Sequence, residues 1–314
     1  MPESRTAERL PALLIVCALA LACVVVIMTG VTPSKITAQE LWGSARAPGE
    51  RAFIASHRGG AEAAPENTLP AVAAALAAGF EYVEVDLALT ADGHAVLMHD
   101  ATVDRTTDGE GLLARLTLAE VRSLDAGSWY APRYAGTPVP TAEEFLDLLA
   151  ERDGRALLDL KGAWTADAAA ALADAVTDRH LQRRVIVASF DARTLALVAA
   201  RADAIPRMAI LRTLPADVVQ ATREVDVRGV IVNRAAVAAR PEIVAELHEA
   251  DLRVVVYTLN DDRHWDAAVQ WGWTASSPTI RAPWTTGSGE SPRSEEYPRG
   301  VLCWRRCTQH EESP

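Results

Sequence analysis

Short apolar runs alternate with alanine-rich stretches through most of this chain, and this alternation constrains its fold more than any other feature. Apolar runs of this length, bounded by turn residues, are typical of strands buried on both faces, and the stretches between them have helical length. Strands and helices that alternate in one block predict an α/β fold with a parallel sheet. The strand candidates are Phe53–Ser56, Tyr82–Leu87, Ala95–Met98, Ala156–Leu160, Val185–Ala188, Arg207–Leu211, Gly229–Val232 and Val254–Tyr257. The helix candidates include Leu69–Ala78, Ala142–Ala150, Ala166–Arg179, Ala192–Arg201, Glu242–Glu249 and Arg263–Trp271.

Eight strand candidates predict a closed (β/α)8 TIM barrel, but two segments interrupt the alternation. The turn Thr90-Ala91-Asp92-Gly93 joins the second and third candidates without a helix. Residues 101–140 form a long insertion. An insertion after a barrel strand falls on the carboxyl face, where the active sites of this fold lie. Thr274–Ser277 is a candidate for a further strand, and if it forms, one of the other eight lies outside the barrel.

An apolar run from Leu10 to Val31 is long enough to cross a bilayer as a helix. Arg5 and Arg9 precede it and favour a cytoplasmic N-terminus. The sequence therefore predicts a single-pass anchor in the cell membrane, with the barrel outside the cytoplasm. The alternative is secretion after signal-peptide cleavage, although the apolar core of such peptides is shorter. A lipoprotein site at Cys23 is disfavoured because the apolar run continues beyond it.

These features predict an order of segments, and all four cysteines fall outside the barrel. The segments are a cytoplasmic N-terminus (1–9), a transmembrane anchor or signal segment (10–31), a linker (32–51), the barrel domain (52–283, with the insertion at 101–140) and a disordered tail (284–314). The barrel therefore has no thiolate metal site and no disulfide framework. Cys303 and Cys307 in the tail either close a small disulfide outside the cell or remain free thiols.

The formal net charge of -11 argues against a nucleic-acid partner, because such proteins normally present a basic face. An acidic protein still binds phosphate where a local Arg, Lys or metal ion supplies positive charge. Lysine occurs only as Lys35 and Lys161, whereas arginine is frequent. A lysine kept at the end of a predicted strand, as Lys161 is, is therefore a candidate functional residue.

His57 and His99 lie at the downstream ends of predicted strands, unlike the other five of the seven histidines. A single histidine in such a place is as often a hydrogen-bonded structural residue. A pair with carboxylates between them indicates acid–base chemistry, in which one imidazole accepts a proton and the other donates one. Phosphodiester cleavage beside a metal ion is one reaction that needs these groups.

Glu84 and Asp86 alternate with aliphatic residues on the strand between the histidines, which places both carboxylates on one face. Asp159 and Lys161 repeat this alternation on the fourth strand. Buried carboxylates are costly unless they are paired or bind a metal. The pattern predicts an oxygen-ligand site for Mg²⁺ or Ca²⁺, with Asp159 completing the shell and Lys161 beside a phosphate. Structural ion pairs are the alternative for each motif.

A series of short motifs runs in a fixed order along the chain: His57-Arg58-Gly59, Pro65-Glu66-Asn67-Thr68, Glu84-x-Asp86, Asp92-Gly93, His99-Asp100, Arg105-Thr106-Thr107-Asp108-Gly109, Leu124-Asp125-Ala126-Gly127-Ser128-Trp129, Pro140-Thr141, Ser189-Phe190-Asp191 and Thr258-Leu259-Asn260. In this order they resemble the pattern of glycerophosphodiester phosphodiesterases. The resemblance covers about residues 52–283 and is most specific in the first half of that range.

This resemblance implies a barrel like that of the phosphoinositide phospholipases C and a divalent cation, Mg²⁺ or Ca²⁺. It also implies hydrolysis of small-molecule glycerophosphodiesters to glycerol 3-phosphate and an alcohol. The site residues that it implies are the acid–base pair His57 and His99, the phosphate contacts Arg58 and Lys161, and the metal ligands Glu84, Asp86 and Asp159, with Glu66 near the metal.

The chain departs from the family pattern in three places. Asp159 stands where Glu is usual and is one methylene shorter, so the cation is expected to sit differently or to use a water. Tyr257 stands where Trp is common, which is expected to alter the glycerol pocket. Residues 273–278 replace a segment that usually carries Thr-Asp ahead of Pro.

Two other functions stay open from the sequence. One is a lysophospholipase D or a sphingomyelinase D-like activity, in which an anchored enzyme cleaves a lysophospholipid or another membrane lipid and releases a cyclic phosphate. The other is a membrane-tethered barrel without catalytic activity, and the presence of both histidines and of the acidic pair argues against it.

Overall fold

The computed structural model describes residues 35–42, 53–61, 63–257 and 275–276, in which nine β-strands and nine α-helices form. The strands are β1 (Phe53–Ser56), β2 (Tyr82–Leu89), β3 (Ala95–Leu97), β4 (Ala156–Leu160), β5 (Val185–Ser189), β6 (Arg207–Leu211), β7 (Gly229–Asn233), β8 (Arg253–Tyr257) and β9 (Ala275–Ser276). The helices are α1 (Ala38–Trp42), α2 (Leu69–Ala77), α3 (Leu118–Arg122), α4 (Ala142–Glu151), α5 (Ala166–Asp178), α6 (Ala192–Arg201), α7 (Val218–Val225), α8 (Arg234–Ala239) and α9 (Ile243–Glu249).

The chain divides into two units, Met1–Lys35 and Ile36–Pro314, and all of these elements lie in the second. None of the helices in the described ranges is both long and apolar enough to cross a membrane. The predicted anchor (10–31), the tail (284–314) with its two cysteines and the helix candidate at 263–271 lie outside the described residues.

Eight strands pair in parallel around a ring, which confirms the predicted parallel α/β fold of the TIM-barrel type. Their order is β1, β2, β4, β5, β6, β7, β8 and β9, and β9 pairs with both β8 and β1. Strand β3 pairs antiparallel with β2 and lies outside the ring, because the tight turn after β2 leaves no room for a crossover. The candidate Ala95–Met98 is therefore not a barrel strand. Ala275–Ser276 takes its place, within the further candidate Thr274–Ser277.

Strand β2 shows how the barrel sorts its side chains. Val83, Val85 and Leu87 belong to the main apolar core that packs under the surrounding helices. Glu84 and Asp86 alternate with them, so they point to the opposite face, into the barrel. The strand is fully buried from residue 82 to 88. Carboxylates inside such a barrel are held there by the register of the strand, because a slip of one residue would exchange the two faces.

The segment Ile36–Trp42, which the sequence assigns to the linker, is instead part of the barrel unit. Its apolar side chains pack in one buried cluster with strand residues at the amino end of the barrel. The cluster comprises Ile36, Ala38, Leu41, Trp42, Ala55, Tyr82, Leu157, Ile186, Ala188, Met208, Ile210, Ile231 and Val255. The Arg228 Nε donates to the Ile36 carbonyl at 2.9 Å, and the Tyr82 hydroxyl donates to the Leu41 carbonyl at 3.4 Å. Helix α1 thereby covers the amino end of the barrel.

The insertion packs against the β2–β3 hairpin in a small shared core of Ala88, Val96, Met98, Val103, Leu113, Val121, Ala126 and Val139. Asp125 orders one of its loops, because its carboxylate accepts from the backbone N–H groups of Gly127 at 2.7 Å and Gly136 at 2.8 Å. The Tyr134 hydroxyl donates to the Ala63 carbonyl at 2.9 Å. This contact joins the insertion to the loop after β1, so both segments lie on the carboxyl face of the barrel.

Candidate active site

The carboxyl ends of β1, β2 and β4 bring the sequence-predicted site residues together. The segment His57–Gly59 forms a short 3-10 helix directly after β1. Asp86 on β2 lies opposite Asp159 on β4 in the strand register. His99 follows β3, which the hairpin holds against the carboxyl half of β2. The charge of His99 acts on His57, Asp86 and Asp159, so both histidines lie near the acidic residues.

Glu84, Asp86 and Asp159 form a buried acidic triad, with one carboxylate oxygen of each within 4.8 Å of the others. Burial, together with the charges of Asp86 and Asp159, raises the pKa of Glu84 well above its usual value. Burial also raises the pKa of Asp159 to about 6, although Lys161 opposes the shift. For Asp86, burial acts in the same direction, but Lys161 and His99 outweigh it and the pKa is lowered. Three carboxylates this close repel one another strongly unless a cation lies among them.

The donor set fits a divalent cation. The Oδ1 of Asp159 is buried and has no hydrogen-bond partner in the described part of the chain. The site holds five carboxylates (Glu66, Glu84, Asp86, Asp100 and Asp159) and three cationic side chains paired with them (Arg58, Arg105 and Lys161). One divalent cation would cancel the excess of negative charge. Oxygen-only ligands suit Mg²⁺ or Ca²⁺ rather than softer metals.

Lys161 lies against two members of the triad. Its Nζ is 2.9 Å from the Asp86 Oδ1 and 2.5 Å from the Asp159 Oδ2. Burial would lower the pKa of this lysine, but the two carboxylates outweigh it and raise the pKa above its usual value. Lys161 is therefore charged at neutral pH. It is a fixed positive charge at the edge of the triad.

Arg58 connects the loop after β1 to the triad. Its backbone N–H donates to the Glu84 Oε2 at 2.7 Å, and its guanidinium donates to the Glu66 Oε1 at 2.9 Å and lies 3.8 Å from the Asp86 Oδ2. Arg58 adopts a left-handed backbone, with φ at +52°, which costs a non-glycine residue about 1–2 kcal/mol. This conformation aims the N–H of Arg58 at Glu84. The strain is therefore part of how the site is built.

His57 is half-buried beside Arg58. Burial, and after it the positive charge of Arg58, lowers the pKa of His57 to about 4, although Asp86 and Glu66 act in the opposite direction. The imidazole is therefore neutral at neutral pH. In this form it can accept a proton from a substrate or from water.

His99 stands at the end of a chain of ion pairs. Its Nδ1 lies 2.6 Å from the Asp100 Oδ1, and the Asp100 Oδ2 accepts from the Arg105 Nε at 2.6 Å. Arg105 in turn donates to both carboxylate oxygens of Glu66, at 2.9 and 2.7 Å. The hydrogen bond from Arg105, with that from His99, lowers the pKa of Asp100 to about 2. Because Asp100 is ionised, the Nδ1 of His99 is the donor and its Nε2 is left for other partners.

Glu66, which the resemblance places near the metal, lies outside the acidic triad. Its two oxygens accept from Arg58 and from Arg105. Burial would raise the pKa of Glu66, but these two arginines outweigh it and lower the pKa. Glu66 therefore bridges the two arginines. Its role as a metal ligand stays a prediction.

Asn67 is a site residue whose role the sequence does not reveal. Its side-chain amide donates to the Asp86 Oδ2 at 2.8 Å, and its side-chain oxygen accepts from the Asp86 N–H at 3.1 Å. Helix capping explains an Asn-Thr pair just as well, and Thr68 is indeed the N-cap of α2. Arg105 is similar, since only the fold places it next to Glu66. Their one signal in the sequence is membership of the ordered motifs.

Comparison with known proteins identifies the family. Residues 57–275 match the model of the glycerophosphoryl diester phosphodiesterase family. The chain belongs to this family. Family members among curated proteins include a glycerophosphodiester phosphodiesterase of Caldanaerobacter subterraneus, 36% identical over 143 residues, and human glycerophosphodiester phosphodiesterase 1, 40% identical over 117 residues. These matches span 45% and 37% of this chain, and 59% and 35% of the two relatives. The chain thus spans about half the length of these curated relatives or less.

Solved structures of the family match over more of their length. A phosphodiesterase of Oleispira antarctica, in complex with the product sn-glycerol-3-phosphate, has a TM-score of 0.65 and 27% identity. This match covers 72% of this chain and 92% of that one. A glycerophosphodiester phosphodiesterase of Agrobacterium tumefaciens has a TM-score of 0.63 and 28% identity, and covers 73% of this chain and 96% of that one. The likeness therefore extends through the barrel, including its second half.

Proposed function

We propose that this glycerophosphoryl diester phosphodiesterase family member hydrolyses glycerophosphodiesters to glycerol 3-phosphate and an alcohol, with His57 and His99 as the acid–base pair and a divalent cation as cofactor. The observation that carries the proposal is the convergence of both histidines on the acidic triad at the carboxyl end of the barrel. The product named in the Oleispira antarctica complex, sn-glycerol-3-phosphate, supports this choice of substrate.

His57 is the base in this proposal. Its lowered pKa keeps the imidazole neutral at pH 7, so that a ring nitrogen is free to take a proton. The proton comes from the nucleophile, which is either water or the glycerol hydroxyl next to the phosphate. Attack by water gives glycerol 3-phosphate directly, whereas attack by the hydroxyl gives a cyclic phosphate first.

His99 is the acid, and Asp100 is its positioning residue. The ionised carboxylate of Asp100 accepts from the His99 Nδ1 and stabilises the imidazolium form. This contact also fixes the ring, because Arg105 and Glu66 hold Asp100 in turn. A proton on the Nε2 then passes to the departing alkoxide. Without it, the alcohol would have to leave as an unstable anion.

The phosphate lies between positive charges that the chain itself provides. Arg58, in the loop after β1, and Lys161, directly after β4, both contact Asp86, and a phosphodiester at the triad would meet both. Their charges stabilise the negative charge that develops on the phosphoryl oxygens. A divalent cation held by Glu84, Asp86 and Asp159 would supply further neutralisation of the same oxygens.

The test uses the purified full-length protein with glycerophosphocholine, in buffers that contain Mg²⁺ or Ca²⁺. Phosphorus NMR distinguishes glycerol 3-phosphate from a cyclic phosphate among the products. We expect His57→Ala and His99→Ala each to lower kcat by at least about 100-fold, since general acid–base catalysis contributes on this scale. His94→Ala is the matched control, because His94 is an exposed histidine in the β2–β3 turn. Substantial turnover by both site variants would refute the assignment.

The layout of the whole chain belongs to the proposal as well. We place a single anchor at 10–31, a barrel domain at 52–283 and the active site outside the cytoplasm, on the basis of the apolar run and the arginines before it. Protease treatment of intact cells tests this layout. Digestion of the barrel epitope without lysis is the expected outcome, and protection until lysis would contradict it.

A further inference from the structure

Arg212 lies on the carboxyl face of the barrel but has no part in the site described above. It is the first residue after β6, as Lys161 is after β4. Its guanidinium lies over the ring of Phe190, 4.6 Å from the ring centroid. Phe190 is the first residue after β5, and its side chain is 42% exposed. The aromatic ring supports the guanidinium and leaves its hydrogen-bond donors free for a ligand.

Tyr257 connects this arginine to the acidic triad. It ends β8, and its phenol is within electrostatic reach of Arg212, Asp159 and Lys161. Burial raises the pKa of Tyr257, while Arg212 and Lys161 act against the shift. A substrate whose phosphate lies at Asp159 and Lys161 would therefore extend towards Tyr257 and Arg212.

Arg212 differs from the cationic residues of the site in its ion pairs. Arg58, Arg105 and Lys161 each form an ion pair with at least one carboxylate. Within the described part of the chain, no carboxylate forms a salt bridge with Arg212, and its side chain is exposed. Among the described residues, Arg212 therefore adds a positive charge to the mouth of the barrel that no carboxylate pairs with. An exposed charge acts on ligands through a distance of about a Debye length, ~10 Å at 0.1 M salt.

We propose that Arg212, supported on Phe190, is a specificity-determining residue that favours glycerophosphodiesters whose alcohol carries an anionic group and disfavours those whose alcohol is a quaternary ammonium. Glycerophosphodiesters differ from one another in their alcohol, so a preference for charge would distinguish them by the charge of that alcohol. This inference rests on the proposed function, because it concerns the substrate of the same site.

The test compares kcat/KM for three diesters, each expressed per scissile bond. Bis(glycerophospho)glycerol has an anionic leaving alcohol, glycerophosphoglycerol an uncharged one and glycerophosphocholine a cationic one. In Arg212→Gln we expect the ratio of the anionic to the cationic substrate to fall by about three- to tenfold, the scale of one partly screened charge. Arg212→Lys keeps the charge and should keep most of the ratio. Raising the salt to about 0.5 M should lower the ratio in the unmodified protein, because salt screens exposed charges.

Arg223→Gln is the matched control. Arg223 is also an exposed arginine, and it lies in the last turn of α7, the helix that follows β6, at the opposite end of the barrel. Its loss should leave the ratio unchanged. A ratio that stays the same in Arg212→Gln, or an equal loss for all three substrates, would overturn the inference while the proposed function stands. If the unmodified protein hydrolyses none of the three diesters, both are overturned.

Discussion

Replacement of Asp100 by Asn separates the charge of this residue from its shape. The carboxylate of Asp100 is 29% exposed and bridges the His99 Nδ1 and the Arg105 Nε, each at 2.6 Å. Asn has the same size and can still accept from His99 through its amide oxygen, but it carries no charge. The variant therefore tests whether the ionised form of Asp100 stabilises the protonated form of His99.

The magnitude follows from the kind of hydrogen bond that is lost. A hydrogen bond to a charged group contributes about 1.5–3 kcal/mol, whereas a neutral one contributes about 0.5–1.5 kcal/mol. The hydrogen bond from His99 loses its charged acceptor, and the amide nitrogen that then faces Arg105 cannot accept a hydrogen bond, but Asp100 is partly exposed, which limits the effect. We expect the barrier to rise by about 2 kcal/mol, or a fall in kcat of about 30-fold.

The assay measures kcat and KM for glycerophosphocholine from pH 5 to 9. KM should change little, because Asp100 pairs with His99 and Arg105 and not with Arg58 or Lys161, which contact the phosphate in our proposal. The loss should therefore appear in kcat rather than in KM. Circular dichroism and thermal unfolding of the variant distinguish this positioning role from a general loss of folded protein.

Asp174→Asn is the matched control, since Asp174 also pairs with an arginine, Arg201, on the outer helices. Its activity should equal that of the unmodified protein. A kcat for Asp100→Asn within about threefold of the unmodified value would refute the assignment of His99 as an acid supported by Asp100.

Chelation, acid and a smaller core residue test other parts of the structure. Removal of divalent cations should abolish turnover. Addition of Mg²⁺ or Ca²⁺ should restore turnover in the unmodified protein but not in Glu84→Gln. Activity that survives chelation contradicts the metal site. The pKa of His57 is lowered from 6.5 to about 4 in the folded protein. Between these pH values the unfolded chain therefore binds more protons than the folded protein does. The free energy of unfolding should fall by about 2–3 kcal/mol as the pH falls from 6.5 to 4. Urea titrations should show a shallower fall in His57→Gln, and an identical fall would contradict the shift. Leu41→Ala should lower the free energy of unfolding by about 2–4 kcal/mol, because Leu41 is 4% exposed; a change below about 0.5 kcal/mol would show that α1 does not contribute to the barrel core.

Local sequence patterns were sufficient to predict the alternating strands and helices. Along β2, the alternation of Glu84 and Asp86 with aliphatic residues already determines that both carboxylates share one face. The helices after β4 and β5 were predicted to within a residue at each end, because each combines an alanine-rich run with a capping residue, Thr165 or Asp191. Such features depend on neighbours in sequence, so the sequence alone is sufficient to predict them.

Other parts of the structure depend on contacts between distant residues. Helix α1 begins with a capping box, in which the Glu40 N–H donates to the Thr37 Oγ1 and the Thr37 N–H donates to the Glu40 Oε2. A helix of five residues is not stable alone, and this one forms against the inner side chains of strands that are far away in sequence. Strand β3 has the same apolar pattern as a barrel strand, but the short turn before it makes it antiparallel. The contacts of Asn67 and Arg105 are likewise long-range, and neither residue has a local pattern that reveals them.

The sequence by itself was sufficient to predict the class of fold and to select the two histidines and the acidic residues as candidates for the site. Strand periodicity and the order of the motifs are local properties. Only the tertiary structure decided which strands close the barrel, that Glu66 bridges two arginines rather than joining the triad, and that Arg212 stands over Phe190 at its mouth. The physical reason is that ion pairs and cation–π contacts form between side chains whose separation is set by the packing of whole elements. A linear pattern carries no information on that separation.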